Sequence, residues 1–314
     1  MDTLTHITIG ACTGELILGK KLGKKAMLFG AIAANIPDID TSAGLFMRGD
    51  KALLFHRGIT HSLLFALITG LLLAYIAKKV YADIELGLFA MFFCFELTLH
   101  NLLDTCTNYG TGLLEPFSHQ RFSIHLLYVV DPVFTLPFLI ATILLIVHKR
   151  PYQKNNFALT AVLVSTMYLC IAGYCKSRLD NKATLTTPAP FTTFLWYCII
   201  KTKTGYYTNY QSVFDKAVTK YEYYPQNSFL LKQLATDLIT FADGYYTISK
   251  DDHSTYMNIL RFGQIQGWKQ NSAPFVLSYP LKSNDNENMI IQKGRLKGWN
   301  RNSIKLYFKR IAGI

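Results

Sequence analysis

The sequence predicts an all-α polytopic membrane helical bundle, with about four full spans plus two short N-terminal helices, followed by a small soluble α+β domain. Three observations carry this prediction. All the long apolar runs fall in residues 1–175, where 13 Lys/Arg stand against 11 Asp/Glu, a net charge of +2. Residues 176–314 hold no run long enough to cross a bilayer and carry 19 Lys/Arg against 9 Asp/Glu, a net of +10. Half of the chain is hydrophobic and only 17% is charged, which excludes a disordered chain, and the uneven distribution excludes a single soluble globule. The 314 residues therefore divide into a membrane-embedded domain over 1–175, a linker over 176–190 and a soluble basic domain over 191–314.

The N-terminal elements are two short apolar pieces, 7–19 and 25–37, separated by the basic turn KKLGKK at 20–25. At about 1.5 Å per residue each reaches only ~20 Å, so they half-span the bilayer or pack inside the bundle. Glu15 favours burial against protein rather than lipid. Full spans follow at 62–79, 84–103, 129–147 and 157–175, each near the ~20 residues a crossing needs. Asp83 and Asp131 precede the second and third of these as N-caps. After the Pro/Thr-rich TLTTPAP, the runs at 191–200 and 206–214 flank a KTKTG turn and read as a β-hairpin. A helix is expected over 228–242 behind Ser228, then short strands at GYYTIS, PFVLSY and NMIIQ, and a basic, apolar C-terminal segment. The N-terminus carries Asp2 and His6 where a signal peptide would be basic, so no cleavable leader is expected. The six cysteines form no C-x-x-C pair, which argues against a metal knuckle or a disulfide framework.

Charge is sorted between the two ends of the helices. The turns KKLGKK, KKVYAD and HKRPYQK fall on one side, while MDTLTH, PDID through HRGITHS, HNLLDTCTNYG and Asp131 fall on the other. The positive-inside rule makes the basic turns cytoplasmic and turns the His/Asp face outward. The even number of full crossings then returns the tail to the outer side. Attraction to an anionic membrane surface explains the basic tail more economically than a nucleic-acid footprint, so a lipid partner is expected and a nucleic acid is not.

Seven of the eight histidines lie in the membrane half, and six of them (His6, His56, His61, His100, His119, His125) share the Asp-rich face. His100 and Asp104 are i, i+4 and point from one helix face, with Glu96 one turn deeper. Asp2 and His6 repeat that spacing. Asp38 and Asp40 alternate along PDID, where Pro37 stops the second helix and an extended segment would point both carboxylates the same way. HRGITHS supplies His56 and His61 around Arg57 and Thr60. Singly, these groups have plain structural readings: Asp38 and Asp40 could cap helices, Arg57 could snorkel to headgroups, and His119 and His125 read as solvated loop residues. Together, ionisable groups converging at membrane depth need a compensating cation. His6, Asp38, Asp40, His56, His61, His100 and Asp104 are therefore the candidate ligands of one or two divalent metal ions, Zn²⁺ first and Mn²⁺ or Fe²⁺ as alternatives. Such an ion suits hydrolysis of an ester or phosphoester at the lipid–water boundary, with Arg57 and Arg121 available to an anionic group.

In order along the chain, MDTLTH, the G-x-x-A-x-N-I-P-D-I-D run, HRGITHS and HNLLDTCTNYGTGLLEPF resemble the bacterial membrane-bound metal-dependent hydrolases of the YdjM/YbcI type, also described as LexA-binding inner-membrane hydrolases. The resemblance runs over about residues 1–150. It implies a multi-pass inner-membrane protein with metal-dependent hydrolase activity, and it covers His6, Asp38, Asp40, His56, Arg57, Thr60, His61, His100 and Asp104. Two readings from other classes stand beside it. One is a non-catalytic membrane anchor or regulator whose C-terminal domain binds a protein partner. The other is an ion or proton relay through Glu15, Glu96 and Asp104, which the placement of the acids at helix ends disfavours.

Overall fold

A computed structural model describes residues 1–44, 54–148, 151–179, 182–217, 219–226, 236–250, 255–269, 273–281, 291–292 and 299–314. The described residues fall into two compact units, one drawn from Met1–Leu45 and Phe55–Ile171, the other from Ala172–Ile314.

The first unit is helical. Helix α1 (Thr3–Leu22) starts behind Asp2, whose carboxylate accepts from the Thr5 N–H at 3.0 Å, and it ends with Lys20 and Lys21 in the last turn. Cations there complement the helix dipole. Gly23, at φ +56°, is the single break before α2 (Lys24–Ala33). The first element is thus longer than the short piece expected over 7–19. Its 20 residues span about 30 Å, because the polar flanks 3–6 and 20–22 continue the helix. The two helices approach to backbone contact through Gly10 and Gly30: a Cβ on Gly30 would lie 1.8 Å from the Gly10 carbonyl oxygen. Glu15 is buried, as expected of its place on this helix.

Residues 37–39 form a 3₁₀ turn that leads into α3 (Asp40–Gly44), and a second 3₁₀ turn spans Ile59–His61. PDID is therefore not an extended segment. Helices α4 (Leu63–Val80) and α5 (Leu86–Thr105) pair closely. Along α4 only Ala66, Gly70, Ala74 and Ala77 are buried, while Leu67, Ile68, Leu71 and Leu72 are exposed. Small residues inward and large aliphatic ones outward is the arrangement of a helix that faces lipid. The cap of α5 is Glu85 rather than Asp83: the Tyr81–Ile84 turn closes on its own N–H···O bond, and Lys78 Nζ donates to Ile84 O at 3.0 Å.

Helix α6 (Pro132–Val147) begins at Asp131, which accepts the Val133 and Phe134 N–H groups and the Tyr168 hydroxyl of α7 (Pro151–Ser177). Because Asp131–Pro132 sets its start, α6 has 16 residues rather than the 19 expected. Three helical stretches among the described residues are long and apolar enough to cross a membrane: Leu63–Val80, Leu86–Thr105 and Asn155–Ser177.

The second unit carries two four-stranded antiparallel meanders. In the first, β1 (Leu185–Pro188), β2 (Leu195–Lys201), β3 (Gly205–Ser212) and β4 (Glu222–Pro225) pair in order. The expected hairpin is β2–β3, with Tyr197 opposite Tyr210. The stretch read as linker contributes β1, whose Leu185 faces Ile199, and Pro188 is accommodated because β1 is an edge strand. Helix α8 (Thr236–Phe241) is the described part of the helix expected over 228–242; Ser228 lies outside the described residues. The second sheet comprises β5 (Tyr246–Lys250), β6 (Thr255–Ile259), β7 (Leu277–Pro280) and β8 (Ile291–Gln292). Helix α9 (Arg301–Ile311) starts with an Asn300–Ser303 capping box and sends Tyr307 into a core with Leu195, Tyr197, Ile199 and Trp268.

Candidate metal centre

The start of α1, the end of α2 with its 3₁₀ turn, the turn before α4 and the last turn of α5 all meet at one end of the helical unit. At that end Asp38, His61, His100 and Asp104 each present one donor atom, all within 4.8 Å of one another. His61 Nε2 lies 3.2 Å from His100 Nε2, 3.3 Å from Asp38 Oδ1 and 3.4 Å from Asp104 Oδ2. His100 Nε2 lies 3.7 Å from Asp38 Oδ1 and 3.8 Å from Asp104 Oδ2. Donors placed about 2.0–2.1 Å from a central Zn²⁺ form a tetrahedron with edges of about 3.3–3.4 Å. The cluster thus has the size and donor chemistry for one divalent ion.

Three of the four candidate ligands are aimed by partners behind them. His100 Nδ1–H donates to the Ala34 carbonyl at 2.6 Å, which leaves Nε2 to face the cluster. On the far side of the His61 ring, Nδ1 lies 3.1 Å from the Thr60 hydroxyl and 3.4 Å from Asp40 Oδ2. His6 stacks on His100 with ring centroids 3.9 Å apart, and its Nε2 lies 3.3 Å from Asp104 Oδ1. That oxygen is also bonded by the Met1 amino group. Asp104 Oδ2 is fully buried and pairs with Arg57 Nε at 2.9 Å, but at an angle that leaves neither atom hydrogen-bonded. A buried carboxylate oxygen without a hydrogen bond, beside two imidazole nitrogens, is what a cation site requires.

The electrostatics agree. Burial opposes ionisation of Asp38, yet hydrogen bonding to His61 and the nearby His100 hold its carboxyl down at about 2. Burial alone would lower His61, but the surrounding carboxylates of Asp104, Asp38 and Asp40 push it up to about 10. Without a metal, the carboxylates keep a proton on this ring.

The remaining predicted residues form the frame. Asp40 accepts from His56 Nδ1 at 2.8 Å, from the Arg57 N–H at 3.0 Å and from the Thr60 hydroxyl at 2.7 Å, so it clamps the HRGITH turn. Asp38, Asp40 and His56 also form a second group with donor spacing for a metal, although the Asp40–His56 bond already engages one donor of each. Thr60 reaches His61 and Asp40 and so ties this ring to the loop. Arg57 departs from its expected place facing substrate. Its guanidinium is buried, donates to Thr107 Oγ1 at 2.8 Å and lies over the Tyr109 ring. Its backbone, at φ +64°, is pinned by Asp40 and by Gly112 N–H to its carbonyl at 2.9 Å. Arg121 likewise braces this turn, donating to the carbonyls of His56 and Arg57. His119 pairs with Glu115 and its side chain is exposed, as expected of a loop residue. His125 is instead buried against Asn108 and Ser123, because the loop folds back over the end of α5.

Sequence reasoning missed four supports. Asn101, beside His100 in the quoted HNLLD run, is fully buried and donates to Ser62 O at 3.3 Å. Thr107 and Tyr109 hold Arg57, and their place in HNLLDTCTNYG was the available signal. The Ala34 carbonyl has no side-chain signature at all.

A family model described as YdjM inner membrane protein matches residues 1–179. Relatives include the inner membrane protein YbcI of Escherichia coli (strain K12), 36% identical over 124 residues that cover 38% of this chain and 69% of YbcI. The uncharacterized protein YfhP of Bacillus subtilis (strain 168) is 24% identical over 191 residues, which cover 57% of this chain and 54% of that protein. No solved structure matches. The chain belongs to the YdjM family of inner membrane proteins.

Proposed function

We propose that the protein is a metal-dependent hydrolase that cleaves an ester or phosphoester at the lipid–water interface, with its site on the outer face of the membrane. The observation that carries this reading is the compact four-donor set formed by Asp38, His61, His100 and Asp104 at the end of the helices opposite the lysines. Zn²⁺ is the ion assigned, since two imidazoles and two carboxylates in four-fold arrangement suit it; Mn²⁺ and Fe²⁺ are the alternatives. A divalent ion held there supplies Lewis acidity toward the oxygen that gains charge in hydrolysis.

The chain's own residues do the rest. Arg57 fixes Asp104 and partly offsets its charge, while the stacked His6 limits rotation of the His100 ring. Asp40 orients His56 through Nδ1, and the His56 side chain is 29% exposed, so this pair is placed to carry a proton to or from the leaving group. Arg57, Thr60 and Arg121 act as positioning residues.

The test is a screen of phosphoester and lipid-ester substrates with detergent-purified protein and its His61→Ala and His56→Gln variants. Turnover is expected from the native chain, with a loss of at least about 10³-fold in His61→Ala and about 10²-fold in His56→Gln. Equal turnover in the native chain and His61→Ala would remove the basis for the reading. The regulator alternative rests on the C-terminal unit, where basic α9 exposes Ile304, Leu306 and Phe308. It expects metal binding without turnover and capture of a protein partner through that unit.

A further inference from the structure

Directly below the metal centre, α1, α5, α6 and α7 line a partly open column of about 310 Å³. Its upper level is formed by Ile9, Leu103 and Phe134; Ile9 is three residues from His6 and Leu103 adjoins Asp104. Its lower level is formed by Ile17, Phe95 and Val162. Ile9 to Ile17 on α1 and Leu103 to Phe95 on α5 are both eight residues, so the two walls give the same depth of about 12 Å.

Two of the three hydroxyls on the walls are already engaged. Thr13 Oγ1 is taken by the Ile9 carbonyl at 2.9 Å and by Glu96, and Ser165 Oγ donates to the Phe134 carbonyl at 2.9 Å. The rest of the lining is almost wholly aliphatic and aromatic. The column runs along helices that include two of the membrane-competent stretches, so hydrocarbon surrounds it in place of water.

We propose that this column holds one acyl chain of a membrane lipid and thereby sets that lipid's ester or phosphoester linkage at the metal centre. The inference deepens the hydrolase reading and rests on it: the substrate class is a lipid rather than a water-soluble phosphoester. Three features select this occupant. The column runs along the helices, the direction of lipid chains; its volume over that depth suits a single chain; and its upper end is lined by Ile9, about one turn below His6, and by Leu103, which precedes Asp104. The lipid's other chain, where it has one, stays in the bilayer.

The test uses the full chain in nanodiscs of phosphatidylethanolamine and phosphatidylglycerol, doped with phosphatidylglycerol that carries a diazirine midway along one acyl chain. Cross-links are expected to concentrate on the α1, α5 and α7 peptides that line the column, above the level on the lipid-facing Leu67–Leu72 stretch of α4. Filling the column with Leu99→Trp plus Val162→Trp should cut column labelling about tenfold while metal content stays at the native level. Should that pair fail to fold, Leu99→Ala with Val162→Ala widens the column instead, and labelling there should persist with a preference shifted toward bulkier chains. Labelling that is equal on α4 and in the column, and is unchanged by either pair, would identify ordinary boundary lipid and overturn the proposal. Column labelling without lipid turnover in metal-loaded protein sinks the hydrolase reading and leaves the chain site standing. Loss of metal in His61→Ala with labelling retained separates the two sites.

Discussion

His61 links the candidate metal-binding cluster to the loop that carries it. Its Nε2 faces Asp38, His100 and Asp104, while its Nδ1 faces Thr60 and Asp40. In the metal-free protein its ring is raised to about 10, above the ordinary histidine value, by carboxylates that outweigh burial. The sign follows: the protonated ring stabilises the metal-free fold fully below its ordinary value of about 6.5, and this contribution is lost as pH rises through about 10. A metal ion must displace that proton. Apparent Zn²⁺ affinity should therefore weaken about tenfold for each pH unit lowered between about 9 and 7, with close to one proton released per ion bound. Chelator competition across pH, and calorimetry in buffers of different ionisation enthalpy, measure both quantities. A flat pH profile would mean that His61 Nε2 is not a ligand.

At the scale of elements, the site depends on how closely α1 and α2 approach, because α1 carries His6 while α2 supplies the Ala34 carbonyl and leads into Asp38. Gly30→Leu would drive a side chain into the Gly10 carbonyl, so it should destabilise the unit by about 3 kcal/mol or more and lower metal content. Gly87→Leu, on the same unit in open space, should be neutral or slightly stabilising. Thermal unfolding with metal analysis of both variants decides the point. The elements also show what a sequence can convey. The i, i+4 spacing of His100 and Asp104 and the HRGITHS run point to the cluster, since periodicity and donor chemistry are local properties. The full length of α1 was hidden because its end turns are polar and gain their helical state from capping by Asp2 and from packing against α2. The 3₁₀ turn at PDID was hidden for a related reason. Alternating carboxylates suggest one face, whereas the turn sends Asp38 to the imidazoles and Asp40 to the loop. Arg57 reads as a cation for headgroups or an anionic substrate because charge favours water, and only the buried Asp104 explains its place.

Over the whole molecule, the low net charge of the helical half conceals a separation by position. Lys20, Lys21, Lys78 and Lys79 close the ends of α1 and α4, and Lys24 Nζ donates to the Ile146 carbonyl at the end of α6, so these cations share the end opposite the metal cluster. If that end is cytoplasmic, an epitope inserted at 117–120, where Phe117 is exposed, should be reached by antibody on intact spheroplasts. An epitope at 81–84 should be reached only after permeabilisation. The reverse pattern would place the site inside the cell. The basic C-terminal half was legible as a small α+β unit with one hairpin, but β1, β4 and β6 were not, because strands of four or five residues carry little alternation of their own and depend on the strands they pair with.

Metal analysis of the full chain purified in detergent, combined with X-ray absorption at the metal edge, bears hardest on the four-donor centre. One Zn²⁺ per chain is expected, with two nitrogen and two oxygen neighbours at about 2.0 Å, and with the ion lost in both His61→Ala and Asp104→Ala. A folded protein that takes up no Zn²⁺, Mn²⁺ or Fe²⁺, or one that keeps its metal in both variants, would contradict it.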